Sequence, residues 1–118
     1  MVPVLCEPML IHILRHLKRH GFFRATANIW YRPEDFENFR AADFGVDIDF
    51  RTVRESELLG SGGGISNLAA RGNPPFLVQN GDIYTDCDLS AAMREHRASG
   101  AALTFLVREG ADEIRILE

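Results

Sequence analysis

The chain has little cysteine, no excess of positive charge and no long hydrophobic run. Its two cysteines, Cys6 and Cys87, match neither a disulfide framework nor a metal-ligand spacing. Reduced thiols in a cytoplasmic protein are therefore expected. Lys and Arg total 13 against 17 Asp and Glu, a net charge of -4, which argues against nucleic acid as the main partner. No apolar stretch approaches the roughly 18 residues that a membrane span needs. The opening Met1-Val2-Pro3-Val4-Leu5-Cys6-Glu7 lacks the basic and apolar regions of a signal peptide. Repeats, low-complexity tracts and interdomain linkers are missing too, so residues 1–118 read as one domain. The histidines have no convincing nucleophile partner, which leaves no Ser–His–Asp or Cys–His arrangement to argue.

What is there alternates. Leu10, Ile13, Leu14 and Leu17 fall at helical spacing and predict an amphipathic helix over 8–20, with Pro8 in its first turn and Gly21 past its end. Residues 24–31 read as a strand and Pro33-Glu34-Asp35 as the start of a short helix. Residues 46–50 alternate as a strand with one wet face, and a short helix is expected around 65–70. Residues 75–79 and 101–107 are apolar enough for buried strands. Asp88 caps a helix closed by Gly100, and 113–117 could add a final strand. The order implies an α/β layered fold with a mainly parallel sheet. The pattern opens with a helix where such domains usually open with a strand.

Three segments could carry chemistry. Gly60-Ser61-Gly62-Gly63-Gly64 lets the backbone approach a ligand, or is merely a flexible connection. It is not a P-loop, because no Gly-Lys-Ser/Thr follows, and Ile65 breaks a dinucleotide fingerprint. Asn80-Gly81-Asp82 follows an apolar strand, where ligands of open α/β sheets bind, and a carboxylate there can share Mg²⁺ with substrate phosphates. The alternative is an Asn-Gly hairpin turn. Asp86 is undecided, Asp88 reads as a helix cap, and the Asp82–Met93 stretch departs from an EF-hand. His12, His16 and His20 at i, i+4, i+8 could chelate a metal, but beside Arg15 and Arg19 they read as a solvated basic face. His96 reads as a packed edge residue.

In chain order, Val2-Pro3-Val4 with Glu7-Pro8-Met9-Leu10, then Glu57-Leu58-Leu59-Gly60-Ser61-Gly62-Gly63-Gly64-Ile65, then Pro75-Phe76-Leu77-Val78-Gln79-Asn80-Gly81-Asp82 with Asp88-Leu89, resemble the central part of the catalytic domain of sugar-phosphate nucleotidyltransferases. The resemblance implies a three-layer, mainly parallel sheet of the nucleotide-diphospho-sugar transferase (Rossmann-like) type. It also implies transfer of a nucleoside monophosphate from a nucleoside triphosphate to a sugar 1-phosphate, with release of pyrophosphate. Asp82 would then be the catalytic residue that holds Mg²⁺ as one of two carboxylates. Leu59, Gly60, Ser61 and Gly62 would line the base and ribose pocket, with Ser61 where threonine is common, and Asn80 would contact substrate.

The family's first strand with its phosphate loop and arginine, its signature lysine, and its second metal carboxylate have no counterpart here. The expectation is an incomplete piece without turnover, since losing one preorganised donor alone can cost about 10² to 10³ in rate. A sheet lacking that strand would present an open edge and favour a homo-oligomer. The alternative function is a non-catalytic nucleotide- or partner-binding module on the same scaffold.

Overall fold

The computed structural model describes residues 2–68 and 75–107. The chain enters through a two-residue hairpin. β1 (Pro3–Val4) pairs antiparallel with β2 (Glu7–Pro8) around Leu5 and Cys6, both at positive φ (48° and 68°). Helix α1 (Met9–Arg19) follows, as the apolar spacing predicts. Its end is fixed by Gly21 at φ 84°, whose N–H meets the Lys18 carbonyl at 3.0 Å while that of Phe22 meets Leu17 at 3.0 Å. A left-handed residue is needed there, and glycine takes it without steric cost.

Strand β3 (Arg24–Ile29) pairs in parallel with β4 (Asp49–Arg54), in register from Arg24 opposite Asp49 to Ile29 opposite Arg54. Parallel neighbours need a long crossover, and two 3₁₀ turns at Pro33–Phe36 and Ala41–Phe44 provide it. The expected strand at 46–50 is displaced towards the C-terminus. Val46 closes the second turn and is buried in the core, so the ladder begins only at Asp49. Ile11, Leu14, Ala41 and Val46 form that core, with Ala25, Phe39, Phe44 and Phe50 packed around it. Phe39 lies against both Phe44 and Phe50, with ring centroids 6.0 and 5.6 Å away.

Helix α2 (Gly60–Leu68) starts on the glycine run itself, where the sequence suggested a loop leading to a helix at 65–70. Helix α3 (Leu89–Ser99) is capped as expected: Asp88 accepts from the Ala91 N–H at 2.9 Å, and Gly100 ends it at φ 64°. Ala25 packs with the α1 core cluster, while Asn28, on the other face of β3 by the two-residue period, meets Gly64 of α2. α1 and α2 therefore touch the parallel pair from opposite sides.

The expected strands at 75–79 and 101–107 do not form: among the described residues neither joins a ladder, and the sheets are two two-stranded pairs. An apolar run shows that a segment can be buried, but a strand also needs a neighbour for its N–H and C=O groups. Here Phe76, Val78 and Phe105 remain 54%, 50% and 59% exposed. The expected strand at 113–117 lies outside the described residues. No helix among the described residues is long and apolar enough to cross a membrane.

Candidate functional site

A cleft of about 1150 Å³ opens between the α1 stripe (Leu10, Ile13, Leu14, Leu17), β3 and the segment 75–82. Five consecutive residues of β3 (24–28) and eight of 75–82 line it. Alternate residues of a strand point to opposite faces, so consecutive lining means that a backbone edge borders the cavity. The volume exceeds that of common small-molecule pockets, about 300–1,000 Å³, because the cleft is also a gap between two chain edges.

Leu58 and Gly60 line this cleft together with Asn80, Gly81 and Asp82, although some twenty positions separate them in sequence. Gly60 has φ 67°, which a side chain would strain, and it turns the chain into α2. Leu59 is partly exposed outside the cavity lining, and Gly62 faces open space. Ser61 lies in the first turn of α2. Beyond Val78 the chain turns: the Ile83 N–H reaches the Asn80 carbonyl at 3.4 Å, and Gln79 Nε2 donates to the Ile83 carbonyl at 3.1 Å. The hairpin alternative fails, since neither arm of that turn is in a strand. Asn80 and Asp82 are exposed.

Two residues that the motif reading passed over hold the glycine turn. Glu55 follows β4 and is only 5% exposed. Its Oε1 accepts from Asn28 Nδ2 at 2.7 Å, and its Oε2 lies 3.5 Å from the Leu59 N–H. A Cβ on Gly64 would stand 2.5 Å from Asn28 Nδ2 and 3.2 Å from Glu55 Oε1, so any larger residue there forces this pair to shift. The available sequence signals were weak: a lone Asn late in a strand, and an acid just ahead of the glycines.

The histidines of α1 correct the reading of a solvated basic face. His16 is buried, with Nε2 3.0 Å from the Cys87 carbonyl. His12 Nε2 lies 2.9 Å from the Val4 carbonyl, and His20 Nδ1 lies 3.2 Å from Ser90 Oγ, whose hydroxyl donates back to the His20 carbonyl at 2.9 Å. Segment 84–90 covers this face of α1, which periodicity along one helix cannot reveal. Burial lowers the His16 pKa below its usual value, with the neighbouring His20 adding to the effect; the Cys87 carbonyl opposes it. Asp86 joins His16, Arg19, His20 and Tyr84 around a second, smaller hollow of about 310 Å³. His96, on α3, contacts Thr104 Oγ1 at 2.9 Å. No group of three or more His, Cys, Asp or Glu side chains among the described residues could hold a metal ion.

No family profile matches the chain, and no solved structure matches it. Curated proteins do. A mannose-1-phosphate guanylyltransferase of Mycobacterium tuberculosis is 34% identical over 116 residues, covering 93% of this chain and 31% of that protein. A UTP--glucose-1-phosphate uridylyltransferase of Synechocystis is 32% identical over 127 residues, covering 97% of this chain and 32% of that protein. A probable mannose-1-phosphate guanylyltransferase 1 of Oryza sativa is 27% identical over 106 residues, covering 86% and 29%. The chain thus spans about a third of the length of these relatives. Over that span, it belongs to the sugar-phosphate nucleotidyltransferase family.

Proposed function

We propose that this chain carries the nucleotide-binding side of a site that transfers a nucleoside monophosphate from a nucleoside triphosphate to a sugar 1-phosphate, releasing pyrophosphate. One observation carries the reading: the turn before α2 and the Asn80-Gly81-Asp82 turn border one cleft. In this reading the neutral base and ribose lie against Leu59, Gly60, Ser61 and Gly62. Glu55 already places a buried negative charge beside the first turn of α2, which disfavours a triphosphate there and leaves room for a neutral group. Asn80 contacts substrate. α1 and α2 on opposite faces of β3 support a three-layer arrangement of the Rossmann-like type.

Asp82 is the candidate catalytic residue and Mg²⁺ ligand. Mg²⁺ is commonly held by one or two carboxylates together with substrate phosphates and water, and an exposed carboxylate at the cleft fits one of those places. Bound there, the ion would neutralise phosphate charge. The chain's own residues would orient the base and hold the α-phosphate near the sugar phosphate, and such positioning supplies much of the catalysis in this kind of transfer. With Asp82 the one exposed carboxylate lining the cleft among the described residues, and about a third of the relatives' length, the chain by itself binds without turning over. In a pyrophosphate-release assay with GTP and mannose 1-phosphate, or UTP and glucose 1-phosphate, the expected rate is background. Turnover abolished by Asp82→Ala would show that the chain needs nothing more.

A second reading, association with another polypeptide, is favoured by the two backbone edges facing the cleft and by the exposed apolar residues Leu103, Phe105, Leu106 and Val107. Open edges and uncovered apolar surface invite pairing between chains, so we infer that copies of this chain associate. The cytoplasm is the proposed compartment, from the two free, exposed cysteines.

A further inference from the structure

The most deeply buried carboxylate among the described residues lies beside the glycine turn. Glu55 is 5% exposed, and no ion pair among the described residues reaches it. A buried charge is costly unless its oxygens are hydrogen-bonded. Here the partners are Asn28 Nδ2 at 2.7 Å on one oxygen and the Leu59 N–H at 3.5 Å on the other. These contacts join three places: the end of β3, the end of β4 and the residue before Gly60. Gly64 packs on the same pair, with a hypothetical Cβ only 2.5 Å from Asn28 Nδ2. The carboxylate thus meets the turn twice, through the Leu59 amide and across Gly64.

We propose that Asn28 and Glu55 are positioning residues: their hydrogen bond sets where the Leu59–Gly60 turn sits, and so the shape of the base-side wall of the cleft. The nucleotide half of this statement rests on the function proposed above; the link between the pair and the turn does not. Polarity is what makes the pair specific. Glu55 can only accept, so Asn28 must present its amide nitrogen and the Leu59 N–H must share the second oxygen. Asn28→Asp sets two acceptors against each other at 2.7 Å separation, which at neutral pH repels the carboxylate from its seat. Glu55→Gln can be tolerated, because Asn28 turns its amide over and accepts from the new nitrogen. Combining Asn28→Asp with Glu55→Gln reverses the polarity of the bond, leaving one glutamine oxygen for Leu59 and its nitrogen for the aspartate.

Amide hydrogen exchange by NMR on the full chain at pH 7.5 tests the link without any ligand. The Leu59 and Gly60 amides should exchange at least tenfold faster in Asn28→Asp than in the unmodified chain, and return to within about threefold in the double variant. Failure of the double variant to restore protection, or no response in the single one, would overturn the proposal. Should Asn28→Asp unfold the chain, Asn28→Ala gives the same loss of donor without the added charge, and the double variant must still fold. Titration with GTP and with UTP, each with Mg²⁺, then reads the positioning role. Affinity should fall about tenfold in Asn28→Asp and recover in the double variant, a rescue that follows bond polarity. Exchange that behaves as stated while neither nucleotide binds the unmodified chain would defeat the nucleotide reading and the positioning role, leaving only the structural link. Nucleotide binding that is unchanged in a folded Asn28→Asp would overturn the positioning role alone.

Discussion

Nε2 of His16 lies 3.0 Å from the carbonyl oxygen of Cys87, tying the middle of α1 to the segment that leads into α3. A carbonyl can only accept, so Nε2 carries the proton in this contact. The histidine is buried and its pKa is lowered, chiefly by desolvation. Protonation is therefore easier in the unfolded chain, and lowering the pH favours unfolding. Stability should be full above the unfolded value near 6.5 and should fall as the pH drops through and below it. Urea midpoints from pH 8 to 5 should show that decline, and His16→Leu should flatten it. An equal slope in both proteins would place the acid sensitivity elsewhere.

Gly62 and Gly64 occupy the same helix but should respond oppositely to alanine. Nothing lies within 4 Å of a Cβ on Gly62, so Gly62→Ala should stabilise by up to about 1 kcal/mol through helix propensity. Gly64→Ala drives a methyl into Asn28 and Glu55 and should cost about 1–3 kcal/mol. Chemical denaturation of the two variants decides it; equal effects would mean that the glycine turn is not packed as described.

Much of the fold was legible, and what was not shares one cause. The α1 stripe, the αL glycines at 21 and 100, and the Asp88 cap are local signals that propensity and backbone geometry enforce within a few residues. The strands at 75–79 and 101–107 were misjudged because pairing depends on a neighbour, and apolar composition cannot show whether a neighbour is present. His16 was misjudged for a related reason: what covers α1 comes from 84–90, far along the chain. In the candidate site, the motifs located the two turns that share the cleft. They missed Asn28 and Glu55, whose importance lies in a contact between residues far apart in sequence.

Self-association follows from the edges bordering the cleft and from the exposed 103–107 run. Light scattering during gel filtration at micromolar concentration should give a dimer or larger species. Leu103→Lys combined with Phe105→Glu should reduce its mass. A monomer that melts cooperatively would contradict the inference.

If the two turns that border the cleft form one nucleotide site, a nucleotide must perturb both at once. The measurement is a titration of the isotope-labelled chain with GTP or UTP in the presence of Mg²⁺, following backbone amides by NMR. The prediction is that amides of the Leu59–Gly64 turn and of Asn80–Asp82 shift together, saturating with a single dissociation constant. Shifts confined to one turn, two unrelated dissociation constants, or no shift in either segment would contradict it.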